Sequence, residues 1–273
     1  MSVPLARTSR AELADILAWL RTKLQVDGPV LACGMVGSAQ GLVEAPYVTC
    51  PADLERLAHS LVEVNGLYVV PGLTGDGPAG EPDVMRGEET QLLGVLPKSG
   101  TSLVVLPGTH SKWVEAQGRV VRRFATSLTG ELRALLLDGS LVGSVALGGD
   151  DDAAAFEEGL ALARREGGML HHVFAARSRV LRGRMPEQAT ASWLSGVLVG
   201  HEVVAMERCF GTEGPVSVVA EPVIAERWAT AIGPRAVPVH GEDAALRGLV
   251  RIAQVRGWLG SSSAPRMSSG GAA

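Results

Sequence analysis

The chain has 273 residues, of which 46% are hydrophobic and 20% charged, an ordinary globular composition with length for one large domain or two modest ones. Its formal net charge of -4 argues against nucleic-acid binding, because no basic stripe exists and the nearest cluster, Arg177, Arg179, Arg182 and Arg184, reads as a solvated face or an internal ion-pair site. No apolar run reaches the roughly 18 residues that cross a bilayer, the opening MSVPLARTSRAEL is no signal peptide, and Cys33, Cys50 and Cys209 show neither a CxxC spacing nor a disulfide framework, so the expected setting is cytoplasmic, without membrane or nucleic-acid partners.

The pair Ser9 and Glu12 has capping-box spacing, and Leu13, Ile16, Leu17, Leu20 and Leu24 follow at helical intervals, which predicts a first helix to about Gln25. Residues 29–35 form a continuous apolar run and predict a strand covered on both faces. The loop that follows carries Gly34, Gly37, Ser38, Gln40 and Glu44, and it stands at the carboxyl end of that strand, where open α/β sheets bind ligands. A helix is predicted over 51–64 and a second buried strand over 67–73. After a Gly- and Pro-rich stretch, PDVMRGEETQLLG at 82–94 gathers Asp83, Glu88 and Glu89 beside Arg86 and leads into a short helix. The acids there either complement the helix dipole or carry chemistry.

Residues 101–126 predict three consecutive antiparallel strands, over 102–107, 112–116 and 119–126, with Gly118 at the second corner. The first corner, PGTHSK, has the composition of an anion-binding turn. Gly108 lets the backbone approach a ligand, Thr109 and Ser111 bring hydroxyls, His110 lies between them, and Lys112 adds a charge. A turn of this kind, taken alone, reads equally as a polar hairpin loop. Helices are then predicted from Thr129, over 151–165, around 168–176 and over 187–208. They are followed by a strand at 215–220, a helix at 222–232, a strand at 236–239 and a last helix at 242–256. His171 and His172 are adjacent and face different sides of a helix, so no metal site is expected there. Residues 260–273 read as a disordered tail.

Six segments in order make the chain resemble the 2-dehydro-3-deoxygalactonokinases over nearly its whole length. They are GMVGS at 34–38, VEAPY at 43–47, PDVMRGEETQLLG at 82–94, LPGTHSKWV at 106–114, TGEL at 129–132 and LSG at 194–196. The resemblance implies an α/β, two-lobed actin-like (ribonuclease H-like) sugar kinase fold. Residues 1–97 would form the first lobe on the substrate-loop side, and 98–259 the second lobe with the phosphate-2 hairpin and the adenosine side. It further implies ATP-dependent phosphorylation of 2-dehydro-3-deoxy-D-galactonate at the 6-hydroxyl in galactonate catabolism. ATP and Mg2+ would be the cofactors, the sugar acid and ATP the small-molecule partners, and a homodimer an allowed assembly.

Several residues take roles from the same resemblance. Related sugar kinases place an acid just ahead of the second phosphate turn, which makes Glu88 the expected base, with Asp83 and Glu89 as rivals and Arg86 steadying the acid or the transferring phosphate. Gly34, Gly37, Ser38, Gln40 and Glu44 are expected to hold the sugar acid. Gly108, Thr109, His110, Ser111 and Lys112 are expected to hold the β and γ phosphates, and Ser195 and Gly196 to touch the nucleotide base; no protein ligand to a metal is assigned. Family members open on a strand and hairpin with an Asp-x-Gly-Thr motif, whereas this chain starts at the first helix, so a first lobe truncated at its N-terminus is expected, with the sheet edge at 29–35 uncovered. Ala39 and Leu42 stand where the family pattern has arginine and tryptophan, and Ala220-Glu221 where it has glycine. These departures leave a second reading, a sugar-acid-binding or regulatory protein derived from such a kinase and impaired in catalysis.

Overall fold

In the computed structural model the described residues are 28–149 and 151–259, with 15, 18, 19, 21–23 and 25. The predicted capping box at Ser9 and Glu12, its partners Leu13, Ile16, Leu17, Leu20 and Leu24, and the predicted tail lie outside the described residues. The first part runs β1 (Val30–Ala32), β2 (Tyr47–Thr49), β3 (Ala52–Asp53), β4 (Val62–Val64), β5 (Leu67–Val69), β6 (Gly72–Asp76), β7 (Pro82–Met85) and α1 (Glu88–Val95). The chain continues as β8 (Thr101–Leu106), β9 (Ser111–Gln117), β10 (Val120–Ser127), α2 (Thr129–Gly139), α3 (Ala153–Ala163), α4 (Gly168–Leu181), α5 (Thr190–Phe210), β11 (Val216–Ala220), α6 (Pro222–Ile232), β12 (Ala236–His240) and α7 (Gly241–Val255).

The central sheet has six strands in the order β12-β11-β8-β9-β10-β3. Its antiparallel meander β8-β9-β10 is the predicted three-stranded unit, and β11 and β12 extend it in parallel. Both faces are covered at its centre, where β8 and β11 read as mainly apolar runs. Val104, Leu106, Val114, Ala116 and Phe124 pack with Leu54, Leu73, Leu92 and Ile252 on one face. Val105, Trp113, Val216 and Val218 pack with Phe156, Leu160, Val203 and Trp228 on the other. Two three-stranded sheets, β1-β5-β4 and β2-β6-β7, complete the described strands.

Three predictions for the first part need correction. Residues 51–64 do not form a helix; they give β3, a 3-10 turn at Arg56–His59, and β4. Distant partners decide the first half, since β3 pairs with β10 and Leu54 N donates to Arg119 O; local turns decide the rest, since Val62 and Val64 pair with β5 through the Asn65-Gly66 hairpin and Asp53 Oδ1 accepts from Glu55 N in a turn that competes with a helix. The run 67–73 splits at Pro71, which has no amide for a ladder, into β5 and β6 of different sheets. The strand at 29–35 is shorter than predicted and half-buried rather than covered on both faces, and among the described residues β1 pairs on one side only, with β5.

Glycines set two close helix contacts that position the rest. A Cβ at Gly94 would overlap the Ala244 carbonyl and one at Gly248 the Thr90 carbonyl, so α1 and α7 meet backbone to backbone. Likewise α5 lies directly on α3, where a Cβ at Gly196 would overlap the Phe156 carbonyl oxygen. Gly196 is therefore a contact between helices rather than a wall of a ligand cleft. Gly196→Ala is expected to cost about 1–3 kcal/mol or more of folding free energy through overpacking, read as a lower denaturant midpoint; an unchanged midpoint would contradict this helix contact.

Candidate active site

The turn between β8 and β9 is held from behind by packed structure. Ser111 and Lys112 begin β9 in a buried position, and the first turn of α2 closes over the backbone of 108–109. Glu131 N donates to Thr109 O at 2.9 Å, and a Cβ at Gly130 would overlap the Gly108 carbonyl. The N-terminus of α2, with its partial positive charge, is thus fixed beside the turn.

Two clefts meet at this turn. The first, of about 590 Å³, is lined by Cys33, Met35, Tyr47, Arg86, Glu88, Gln91 and Lys112, among others. The second, of about 620 Å³, is lined by Thr129, Arg133, Phe156, Ser195, Leu198, Val199, Arg227 and Trp228, among others. Pro107, Gly108 and Thr109 line both. Each cleft has the volume of a small-molecule site, and the backbone of the turn is their shared wall.

Of the three acids in 83–89, one faces a cleft. Glu88 opens α1; its Oε2 accepts from Arg86 N at 3.0 Å, and its Oε1 lies 3.3 Å from Lys112 Nζ. Lys112 Nζ also donates to His110 O at 3.1 Å, so a carboxylate and an ammonium converge at the turn. Gly87 makes the approach with φ +111, a conformation that favours glycine, and a Cβ there would also sit 3.1 Å from Gly34 Cα.

Glu89 turns the other way into the core, fully buried, where its carboxyl accepts from Gly87 N at 2.6 Å and Thr90 Oγ1 at 2.9 Å. Burial pushes it up to about 7. Asp83 lines neither cleft: Thr126 N and Thr126 Oγ1 both donate to it at 2.6 Å, which pins β7 to β10. Its place as a rival base is corrected to a structural staple, and Glu89 to a core acid.

Because its folded value lies above the ordinary 4.5, the Glu89 carboxyl contributes stability that is fully present below about 4.5 and lost as pH rises through about 7. The unfolding free energy is expected to fall between pH 5 and pH 8.5, by up to roughly 3 kcal/mol from this group. Glu89→Gln should make the profile shallower without abolishing it, because buried Glu202 is raised to about 7 as well, and an unchanged slope in urea titrations would contradict the assignment.

The substrate loop is arranged differently from its prediction. Gly34 backs Gly87, and Gly37 is buried where a Cβ would come within 2.9 Å of Arg86 Nη1. Ser38 Oγ donates to its own loop at Met35 O, 2.9 Å away, while Gln40 and Glu44 are exposed. None of Ser38, Gln40 and Glu44 lines either cleft; Met35 and Tyr47, from the same segment, do. The Arg86 guanidinium lies 4.3 Å over the Tyr47 ring and donates from Nη2 to Ala45 O, while its buried Nε and Nη1 have no acceptor among the described residues. Cys33, also in the wall, is a poor nucleophile, since burial pushes its thiol up to about 11.

Ser195 lines the second cleft, bonded by Arg133 Nε at 2.6 Å. The apolar wall of Phe156, Leu198, Val199 and Trp228 was not legible, because it assembles from three helices. His110 pairs with Glu131 at 2.5 Å on the rim of the turn. Glu202, also missed, lies behind it and accepts from Ser111 Oγ at 3.0 Å and Trp113 Nε1 at 2.9 Å, with burial pushing its carboxyl up to about 7. A lone acid among Val199, Gly200 and Val203 on a buried helix face was the available signal.

His172 is buried, bonded to His201 and to the Glu166 carbonyl, in keeping with a structural role. Among the described residues no group of three or more His, Cys, Asp or Glu is placed to hold a metal, and no helix is long and apolar enough to cross a membrane.

Residues 2–252 match the family described as 2-keto-3-deoxy-galactonokinase. The chain is 35% identical over 252 residues to the 2-dehydro-3-deoxygalactonokinase of Escherichia coli (strain K12), which covers 90% of this chain and 85% of the relative. It is 33% identical over 227 residues to the Probable 2-dehydro-3-deoxygalactonokinase DgoK1 of Rhizobium meliloti (strain 1021), over 79% of this chain and 74% of the relative. A crystal structure from Sinorhizobium meliloti, of a candidate 2-dehydro-3-deoxygalactonokinase, superposes with a TM-score of 0.82 at 28% identity, over 89% of this chain and 85% of that one.

Proposed function

The chain belongs to the 2-keto-3-deoxy-galactonokinase family, and from that premise we propose how its two clefts divide the work. The enzyme is a kinase of galactonate catabolism that phosphorylates 2-dehydro-3-deoxy-D-galactonate on the 6-hydroxyl with ATP. The first cleft takes the sugar acid and the second the nucleotide, and the observation that carries this division is that, among the described residues, the backbone the two walls share is Pro107-Gly108-Thr109. A phosphoryl group held there by the turn's amides and the α2 N-terminus is within reach of both ligands.

Glu88 accepts the proton of the 6-hydroxyl as the new O–P bond forms and the bond to the β-phosphate oxygen breaks, releasing ADP. Lys112 neutralises charge on the phosphate. Before nucleotide arrives it is engaged by Glu88; a γ-phosphate competes for the ammonium and leaves the carboxylate free as a base. Arg86, held flat by Tyr47 and with two nitrogens lacking acceptors, supplies positive charge to the sugar-acid side. The adenine lies against Phe156, Leu198, Val199 and Trp228.

Magnesium would supply charge neutralisation on the phosphates; an ion that takes most of its ligands from water and phosphate oxygens asks for few from protein, which suits a site where Glu88 alone of the acids at 83–89 faces a cleft. We assign residues up to 97 to the substrate side and 98–259 to the nucleotide side, with β3 and α7 crossing between them, and place the enzyme in the cytoplasm. A catalytically impaired binding protein gains no support from the family match or the relatives. Phosphorus NMR of the product should show a phosphomonoester on C6; a phosphate on another hydroxyl, or no ATP-dependent product, would overturn the reading.

A further inference from the structure

Glu202 is a buried acid behind the phosphate turn that phosphoryl transfer leaves unused. It sits on α5 with 5% exposure and turns its carboxyl toward the back of the phosphate turn. One oxygen lies 3.0 Å from Ser111 Oγ and the other accepts from Trp113 Nε1 at 2.9 Å. The hydroxyls of Thr129 and Ser127 reach the same carboxyl. Ser111 and Thr129 are also residues of the nucleotide cleft wall, so hydroxyls on that wall share one carboxyl behind them.

A hydroxyl has a single hydrogen to give. While Glu202 is ionised it can only accept, so the Ser111 O–H points back to it and the oxygen lone pairs of Ser111 are left for the cleft, where they repel a phosphate oxygen. When Glu202 carries a proton, its own O–H bonds Ser111 Oγ, and the Ser111 hydrogen is released toward the cleft as a donor. A second effect has the same sign, because a buried carboxylate behind an occupied phosphate turn meets like charge in a medium of low dielectric. The groups facing Glu202 from β9, β10 and α2 are the Ser111 hydroxyl, the Trp113 indole and the hydroxyls of Ser127 and Thr129. Of the nearest charged or titratable side chains along these elements and α5, His110 bonds Glu131, Lys112 pairs with Glu88, Arg133 bonds Ser195, and His201 bonds His172. From α3 the packing against this part of α5 is apolar, through Phe156 and Leu160.

We infer that Glu202, in its protonated form, is a positioning residue that aims the Ser111 hydroxyl at the nucleotide phosphate, so that nucleotide binding draws a proton from solvent onto Glu202. The inference rests on the second cleft being the nucleotide site. Burial already lifts this carboxyl to about 7, so the uptake is largest above that pH, where the free enzyme holds Glu202 ionised.

The test is calorimetry of the non-hydrolysable ATP analogue adenylyl imidodiphosphate with magnesium, in buffers of different ionisation enthalpy, from pH 7 to 9. The wild-type chain should take up close to one proton at pH 8.5, and its Kd should weaken by up to about tenfold per pH unit there. Glu202→Gln should bind within a few-fold of wild type at pH 7, take up none, and show a flat profile, whereas a merely structural role would weaken binding alike at every pH. Ser111→Ala, which keeps the carboxyl and decides the matter if the first variant does not fold, should bind about tenfold more weakly at pH 7 and lose most of the uptake. Wild-type binding without proton uptake, or uptake that persists in Glu202→Gln, overturns the inference alone. No binding heat in the wild type overturns the nucleotide-site reading and the inference with it.

Discussion

Glu88→Gln is expected to lower kcat by about 100- to 10,000-fold while KM for ATP stays the same or falls. The amide matches the carboxylate in shape and retains an oxygen to accept from Arg86 N, but it cannot take the proton of the 6-hydroxyl. It also releases Lys112, which in the wild type lies 3.3 Å from the carboxylate, so the phosphate loses nothing and gains an unpaired ammonium. Steady-state kinetics with each substrate varied would show the effect in kcat. A variant with kcat within a few-fold of wild type would remove Glu88 from the reaction and reopen the question of the base.

Lys112→Met should cost about 100-fold in kcat/KM for ATP, on the order of 3 kcal/mol of transition-state stabilisation. The loss has two sources, the missing charge on the phosphate and a Glu88 carboxylate left without its partner. The two residues act as a unit, so the double variant should be far less damaged than the product of the single effects predicts. Strict multiplication of the two losses would mean that the observed pair is incidental to turnover.

Where the sequence was sufficient, the forces were local. The meander β8-β9-β10 follows from short apolar strands joined by tight turns, and the helices from 129 to 255 from their periodic apolar faces. Residues 51–64 were misleading at 52–54, whose partners, Arg119 and β10, lie far along the chain; 62–64 pair with 67–69 through the adjacent Asn65-Gly66 turn, a local signal.

The candidate site was legible to the level of a segment, not of a side chain. Asp83, Glu88 and Glu89 are equivalent as letters. The left-handed Gly87 and the rotation of about 100° between successive helix residues send Glu88 to the cleft and Glu89 to the core, while β10 claims Asp83. The same rotation separates Ser195, on the cleft wall, from Gly196, on the contact with α3. Ser38, Gln40 and Glu44 have the chemistry to hold a sugar acid, yet the loop bonds back on itself at Met35 and offers Met35 and Tyr47 to the cleft instead.

The most direct test of the whole account is ADP release by this chain in the presence of ATP, magnesium and 2-dehydro-3-deoxy-D-galactonate, followed by a coupled assay. ADP should appear one for one with the sugar-acid 6-phosphate, and only when both substrates are present. No ADP release above the buffer rate under those conditions would contradict the assignment of the two clefts and the turn between them.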